Sequence, residues 1–407
     1  MKQRGLTLVE LMVALTIGLG ITLAISSVLI ASENHKRITT STNDAQQSGS
    51  YGYYALDKAL RGAGSGIAES AFPSDVGVLG CHLNAGGILP HTTGPFPQPF
   101  ANFLLGAAST LNVAPLLIGK NQSQDGVSDV IMVMGGSGSA GGVSRQITGG
   151  GNATSATLDN IEGFTNNSPN PSNDLVLVSQ SGVPDCLIEQ VTTLAPPAPT
   201  LNFGGIYYTA TAAGGTTSMA ILAGSTSSFV TPIGNADANN VQFMLFGVDT
   251  NRTLYSYDLL QNLKLVGGAG ADSAQAIADG VVQMNALYGI DTDGNGIQDA
   301  WAGPGDAGWD INAVMNSPLK MKQIVSVRIA LVVRGEYFDT ARKPDGTPIP
   351  VSPPTLTIFN GLNNGANFTG GTSLKQTIPL SLTEQQFRYR VFEFTVPLRN
   401  MLLLAGA

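Results

Sequence analysis

Residues 1–31 read MKQRGLTLVELMVALTIGLGITLAISSVLIA, and this stretch decides how the rest of the chain is placed. Lys2 and Arg4 precede an apolar run in which no charged residue occurs between Leu11 and Ala31. At about 1.5 Å per residue, a helix of this length spans a bilayer. A secretory signal peptide has a shorter apolar core, of about 7–15 residues, followed by small residues at its cleavage site. The stretch therefore predicts a membrane-spanning helix.

Glu10 is the one charged residue between Gly5 and the end of this apolar stretch. A carboxylate at the centre of a membrane helix costs about 2.5–3.5 kcal/mol, and so it usually marks a function. If the chain is cut after Gly5, Leu6 gains an α-ammonium group and lies one helical turn before Glu10. An acid in the first turn also interacts favourably with the helix dipole. A plain single-pass anchor would explain the length and the basic flank, but neither Gly5 nor Glu10.

The order of basic leader, Gly5, hydrophobic residue and Glu10 resembles the leader of type IV prepilins. The residue after the cut is usually Phe in that family, so Leu6 departs from the pattern. The resemblance implies that a membrane-embedded prepilin peptidase removes residues 1–5 and methylates the new N-terminus. It also implies that residues 6–31 cross the inner membrane before assembly and lie in the filament core afterwards, with Glu10 acting in assembly.

Composition limits what the remainder can do. Only 12% of the 407 residues are charged and the net charge is −8, so no basic stripe is present to bind nucleic acid. The 50 glycines and few aromatic residues are typical of a β-rich extracellular protein with long polar loops. Because the anchor exports the chain, Cys81 and Cys186 are expected to form one disulfide in an oxidising compartment. Two buried free thiols are the alternative.

The helix is expected to continue past the membrane. No proline occurs between Ser32 and Arg61, and apolar residues recur at helical spacing near its end. These residues are Leu56, Ala59, Leu60 and Ala63. An amphipathic continuation over residues 32–62 would end at Gly62, which suits a left-handed C′ position. Residues 63–407 then form a β-rich head, so the fold class is α+β and, by the resemblance, pilin-like.

Several segments of the head predict strands because they are apolar runs or alternate with period 2. They are 129–134, 174–179, 186–191, 281–290, 323–334 and 388–398, together with a hairpin formed by 241–248 and 253–257. Residues 273–278 are expected to form a short helix, and the proline-rich residues 341–356 a loop.

Residues 291–299, DTDGNGIQD, have the spacing of a calcium-binding loop. Oxygen-bearing residues stand at positions 1, 3, 5 and 9, and the glycine at position 6 permits the sharp turn that such a loop needs. The predicted ligands are the side chains of Asp291, Asp293, Asn295 and Asp299 and the carbonyl of Ile297. The expected cofactor is a structural calcium ion.

Position 12 of this loop is Ala302, so the bidentate glutamate of an EF-hand is missing and the affinity is expected to be lower. Asp306, Asp310 or water could complete the coordination. The alternative is an acidic Gly/Asn turn that binds nothing, a common feature of hairpin tips.

Catalytic motifs are missing from the sequence. The histidines His35, His82 and His91 stand outside any HExxH or triad-like pattern, and no GxSxG motif occurs. The sequence therefore predicts a protein that acts by assembly and not as an enzyme.

Patches along the whole chain resemble the PilW family of minor pilins. They are residues 59–64, Cys81, 128–130, 174–179, Cys186, 288–296 and 396–400. The resemblance implies a low-abundance subunit of a type IV pilus, in a complex that primes assembly and lies at or near the tip. Its implied partners are other minor and major pilins, the prepilin peptidase, the inner-membrane assembly platform and a large tip adhesin.

Two other functions stay open at this point. The chain could be a tip pseudopilin of type II secretion, which shares the same N-terminal motif. It could also be a membrane-anchored, calcium-stabilised adhesin or hydrolase, for which processing after Gly5 would not matter. For the minor pilin, the head is expected in the periplasm on a single-pass inner-membrane anchor before assembly, and on the extracellular pilus afterwards.

Overall fold

A long helix, α1, precedes the whole head. The computed structural model describes residues 7–67, 78–83, 96–104, 111–136, 143–165, 172–211, 217–238, 240–260 and 274–405. Within this part α1 runs without interruption from Leu8 to Arg61, 54 residues or about 80 Å at 1.5 Å per residue. The predicted continuous helix is confirmed, and Gly18 and Gly20 do not break it. The leader, residues 1–5, and Leu6 lie outside the described residues.

The described part of the head contains three sheets and a hairpin, and their strands are numbered in chain order. Sheet 1 comprises β1 (His82–Leu83), β2 (Leu111–Asn112), β5 (Arg145–Gln146), β6 (Ser155–Thr157), β7 (Asp174–Gln180), β8 (Asp185–Leu194), β9 (Thr200–Phe203) and β10 (Ser228–Asn235). Sheet 2 comprises β3 (Leu116–Gly119), β4 (Val130–Gly135), β11 (Gln242–Val248), β12 (Thr253–Asp258) and β13 (Gln275–Asp279). Sheet 3 comprises β14 (Val281–Ile290), β15 (Ala300–Ala302), β16 (Ile324–Arg334) and β19 (Tyr389–Pro397). The hairpin is β17 (Thr355–Ile358) with β18 (Gln376–Pro379).

Short helices connect these strands: α2 (Met219–Gly224), α3 (Ile311–Met315), α4 (Pro318–Gln323) and α5 (Arg399–Ala405). The strand order is β2-β1-β8-β7-β10-β5 in sheet 1, with β9 pairing β6 and β8. It is β13-β12-β11-β4-β3 in sheet 2 and β15-β14-β16-β19 in sheet 3. Pairing is antiparallel except between β1 and β8, which are parallel. The α+β, pilin-like architecture predicted from the sequence is confirmed.

The C-terminal half of α1 packs on sheets 2 and 3. Leu56 and Leu60 are fully buried, as the helical spacing predicts. Gly49 lies against Phe392 of β19, so closely that a Cβ there would come within 2.1 Å of the ring. The ring of Tyr53 meets that of Phe394 edge-on, with 4.5 Å between centroids. Small residues on the helix therefore allow close contact with the sheet.

The end of α1 differs from the prediction. Gly62 has φ −82° and is right-handed, because its N–H still bonds the carbonyls of Ala59 and Leu60. A Cβ at Gly62 would come within 2.5 Å of Gln242 Oε1, so the glycine leaves room for the end of that side chain. The left-handed turn comes at Gly64, with φ 76°, whose N–H bonds the Met134 carbonyl at 2.8 Å.

The predicted strands 129–134, 174–179, 186–191, 281–290, 323–334 and 388–398 correspond to β4, β7, β8, β14, β16 and β19, and the predicted hairpin to β11 and β12. The prediction of a helix at 273–278 is wrong, since Gln275–Asp279 is strand β13. Its alanines favour a helix locally, but pairing with β12 and burial of Ala278 beside Gly52 of α1 override that preference.

Strand β16 of sheet 3 is buried on both faces. Val327, Ile329 and Leu331 of β16 belong to the main core, while Ala330 and Val332 point into a second cluster with residues of the β17–β18 hairpin. The alternation predicted for the inward face is therefore correct. The opposite face is also apolar, because the hairpin covers it.

A disulfide joins Cys81 to Cys186 across 105 residues. Cys81 directly precedes the two-residue strand β1, and Cys186 is the second residue of β8. A strand of two residues gains little from its own ladder, so the covalent bond holds this segment against sheet 1.

Glu189 on β8 is a buried acid with incomplete hydrogen bonding. It is 0% exposed, one carboxylate oxygen accepts the Thr209 N–H at 3.0 Å, and the other has no partner among the described residues. Burial raises the pKa of Glu189 from 4.5 to about 8, although the Thr209 N–H opposes this shift.

We expect the free energy of unfolding to fall as the pH rises from 4.5 to about 8, because the unfolded chain releases the Glu189 proton first. The slope contributed by one such group is about 1.4 kcal/mol per pH unit. Urea unfolding at several pH values should show a steeper fall in the wild type than in Glu189→Gln, which keeps only the contribution of the buried Asp129, whose pKa burial raises to about 6. An equal slope in both would contradict the assignment to Glu189.

Candidate functional site

The apolar half of α1 is a rod without cover from the head. Its described side chains from Leu8 to Ile30 are exposed. An 18-residue stretch of the helix has a mean hydropathy of 2.3. Among the described residues, α1 is the helix long and apolar enough to cross a membrane. An exposed apolar surface of this size needs either lipid or other helices around it.

Glu10 lies in the first turn of this rod and is held by Thr7. The Glu10 carboxylate accepts the Thr7 N–H at 3.0 Å and the Thr7 hydroxyl at 2.9 Å. In return, the Thr7 hydroxyl accepts the Glu10 N–H at 3.3 Å. This reciprocal arrangement is a capping box.

Thr7, which the sequence prediction did not include, is the residue that holds the Glu10 side chain. The signal was present, because Thr7-Leu-Val-Glu10 has the Thr-x-x-Glu spacing of a capping box before an apolar run. The cap fixes the Glu10 side chain in the first turn of the helix, whose N-cap Thr7 directly follows Leu6 in the sequence. Gly5 and Leu6, the predicted processing residues, lie outside the described residues.

The predicted calcium loop lies between β14 and β15. Ligand oxygens of Asp291, Asp293 and Asp299 lie within 4.8 Å of one another. Asp291 is buried and the other two are more exposed, so the cluster opens towards solvent. The spacing thus brings together the three carboxylates that the sequence pattern predicts.

Backbone groups of the loop already organise these carboxylates. The two oxygens of Asp291 accept the N–H groups of Gly294 and Gly296, each at 2.7 Å. Burial raises the pKa of Asp291, but the N–H groups of Gly296 and Gly294, together with hydrogen bonds with Asp293 and Asn295, lower it by more in sum, and the net pKa lies below 3.8. Asp291 is therefore charged at neutral pH.

The other predicted ligands form hydrogen bonds with one another and with Thr292 of the same loop. Asn295 donates its side-chain amide to Asp293 at 3.0 Å, and its own amide oxygen accepts the Ile297 N–H at 2.7 Å. Asp299 accepts the Thr292 hydroxyl at 2.7 Å. Ile297 itself is 67% exposed, so its side chain plays no part in packing the loop.

The two further carboxylates considered for this site are occupied elsewhere. Asp306 accepts the Gly303 N–H at 3.0 Å and the Asn364 side-chain amide at 3.3 Å. Asp310 caps α3 by accepting N–H groups of Asn312 and Ala313. Ala302, at position 12 of the loop, is a buried residue of β15.

Two sequence families match this chain. The prokaryotic N-terminal methylation motif matches residues 1–19, and PilW, the Type IV Pilus-assembly protein W, matches residues 237–400. These matches, each to a part of the chain, support a minor pilin that takes part in type IV pilus assembly. Neither a curated protein nor a solved structure matches the chain.

The two matched parts of the minor pilin are the ones that carry the candidate sites. The N-terminal match contains Glu10 and Thr7, and the PilW match contains sheet 3 and the 291–299 loop. Sheet 1 and the Cys81–Cys186 disulfide lie outside both matches. The match to a pilus-assembly family implies contact with other pilus components, and the methylation motif together with the apolar α1 indicates a membrane-anchored pilin.

Proposed function

We propose that this pilin is a low-abundance subunit that helps to prime pilus assembly and lies at or near the tip. The observation that carries the proposal is a single capped carboxylate, Glu10, on a long exposed apolar helix fixed to a large head. In the membrane this helix anchors one copy, and in a filament it packs among the helices of other subunits. The PilW description favours the pilus over type II secretion.

Processing and location follow from the same proposal. A prepilin peptidase cuts after Gly5, the head waits in the periplasm on a single-pass anchor, and assembly moves it to the extracellular pilus. Its partners are other minor and major pilins and the inner-membrane assembly platform, with a tip adhesin as a further candidate. The protein works through these contacts and is not an enzyme.

Deletion of this pilin should strongly reduce the number of surface pili, and the wild-type gene should restore them. Sheared pili should contain the chain well below the amount of the main subunit, because a tip position allows few copies per filament. Immunoblots of sheared pili against membranes measure both points. Normal piliation in the deletion strain, together with no chain in sheared pili, would contradict the proposal.

We also propose that the 291–299 loop holds a structural calcium ion. Calcium binds oxygen ligands, and three carboxylates converge here while backbone N–H groups use only part of their lone pairs. Asp291, Asp293, Asn295 and Asp299 would supply side-chain oxygens and Ile297 its carbonyl. The ion would balance the charge of carboxylates that lie close together.

Calcium should raise the melting temperature of the wild-type head, and chelator should lower it. At about 100 times a Kd of roughly 10⁻⁴ M, the ion adds about 2.7 kcal/mol. Asp293→Ala removes an exposed ligand and should abolish the shift, while the Gly294 and Gly296 N–H groups still hold Asp291. Asp345→Ala, in an exposed turn where Asp345 likewise accepts a nearby N–H, is the matched control and should keep the shift. A melting temperature that stays the same when chelator is added would rule out the site.

A further inference from the structure

Strand β19 is an edge strand of unusual length for this head. It pairs with β16 along its whole length, from Ser326 opposite Pro397 to Arg334 opposite Tyr389. Sheet 3 ends at β19, and in the described part of the chain no strand lies on its other side. Val391, near its middle, is 39% exposed, and Arg390 and Thr395 are exposed as well.

The ladder shows which backbone groups face the free side. The Leu398 N–H bonds the Val325 carbonyl at 2.9 Å, and the Gly335 N–H bonds the Arg388 carbonyl at 2.8 Å. Because bonding alternates along an antiparallel pair, the even-numbered residues of β19 bond to β16. The N–H and C=O groups of the odd-numbered ones point outwards, and these are Tyr389, Val391, Glu393 and Thr395. No described residue hydrogen-bonds to these groups.

Other edges of the sheets are short. The edge strands β2, β3, β5, β13 and β15 have two to five residues each. Edge strands are usually protected from pairing by being short, bulged, or interrupted by proline. The nine residues of β19 pair with β16 without a register shift, and its proline stands at the last position. This edge is thus regular and open to a further strand.

We propose that the free edge of β19 binds an extended segment of another pilus subunit, which adds a strand to sheet 3. Four outward N–H and C=O pairs at a two-residue repeat match the backbone of an extended chain, and not a helix or a lipid. The inference rests on the proposed function, because it takes the partner from the pilus. It goes further by naming the surface and the form of the partner.

A second copy of this chain fits the edge poorly. Gly49 lies against Phe392, Tyr53 against Phe394, and Asn400 donates to the Ala63 carbonyl, so α1 and β19 run in the same direction. Antiparallel self-pairing would therefore point the two membrane helices in opposite directions.

A copy paired in parallel through the same edge would be offset by one residue, because both strands offer odd-numbered groups, and Arg390 would then lie beside Tyr389 or Val391 and not beside a carboxylate. Arg390 is exposed and has no ion-pair partner in the described part of the chain. A different subunit with an acidic residue opposite Arg390 and an apolar one opposite Val391 satisfies both positions. These two features define the segment that the edge would select.

The test uses the full chain coexpressed with the other pilin subunits of its system, one at a time, and purified in detergent. Thr395→Pro removes an outward N–H that sheet 3 does not use, so the fold should stay intact. Thr395→Val is the matched control, since it loses the same hydroxyl contact with Arg328 but keeps the N–H. Val391→Pro tests a second outward position.

Recovery of the complex should fall about tenfold in both proline variants, with Thr395→Val unchanged. Melting temperatures of the free variants show that they are folded. In hydrogen exchange resolved to single amides, those of Val391, Glu393 and Thr395 should exchange fast in the free chain and slowly in the complex.

Equal recovery of folded proline variants, or outward amides that exchange equally fast in both states, would overturn the edge proposal while leaving the proposed function intact. Protection that grows with the concentration of the chain alone would identify a second copy and overturn the stated partner. A wild-type chain that copurifies with no pilin would contradict the proposed function as well.

Discussion

Glu10→Ala is expected to remove this pilin from filaments while leaving it in the membrane. The variant loses the one carboxylate of the apolar helix and both of its hydrogen bonds to Thr7. A charge left unpaired in an apolar filament core would cost about 2.5–3.5 kcal/mol, so the proposed function requires a subunit contact that pairs Glu10. The chain in sheared pili should fall below detection, and its amount in membranes should stay unchanged.

Glu33→Ala is the matched control for this experiment. Glu33 lies on the same helix beyond the apolar run, is exposed, and forms a surface ion pair with Arg37 at 3.2 Å. Such pairs contribute about 0–1 kcal/mol, so this variant should enter pili normally. Wild-type levels of Glu10→Ala in sheared pili, with normal piliation, would refute a role of Glu10 in assembly.

Replacing both cysteines, with Cys81→Ser and Cys186→Ser, should produce the largest loss of stability in the head. In the chain-entropy account, closing a loop of about 100 residues contributes about 4.7 kcal/mol, and measured losses are typically about 2–5 kcal/mol. The bond spans 105 residues and holds the two-residue strand β1 against β8. Guanidinium unfolding of the head of the wild type and of the double variant measures the difference.

Reduction of the wild type provides the control, since it breaks the bond without changing a side chain. The reduced wild type and the double variant should unfold at similar denaturant concentrations, both well below that of the oxidised wild type. Coincident unfolding of all three samples would show that the disulfide adds nothing to stability.

Most of the helices and strands could be predicted from local sequence patterns. Val130–Gly135, Asp174–Gln180 and Ile324–Arg334 are apolar runs bounded by turn residues, and each is a strand in the structure. The helix α1 was equally readable, because no proline interrupts it and its apolar residues follow the helical repeat. For elements of this kind the short-range signal and the tertiary environment agree.

Features that depend on contacts between residues distant in the sequence could not be predicted. Strand β13 resembles a helix until β12 pairs with it, and the close approach of Gly49 depends on Phe392, more than 300 residues away. Glu189 looks like a solvent-facing residue of a strand, but the backbone of Thr209 covers it. In the 291–299 loop the carboxylates converge as the spacing predicted, whereas Asp306 and Asp310 turn to nearer N–H groups.

The central claim is that the chain is trimmed after Gly5 and assembled through the helix that then begins at Leu6. Mass spectrometry of the N-terminal peptide from chain recovered in sheared pili tests it most directly. The account predicts a peptide that starts at Leu6 and carries one methyl group on its α-nitrogen, with Thr7 and Glu10 unmodified. A peptide that still starts at Met1, or one cut at any other residue, would contradict the account.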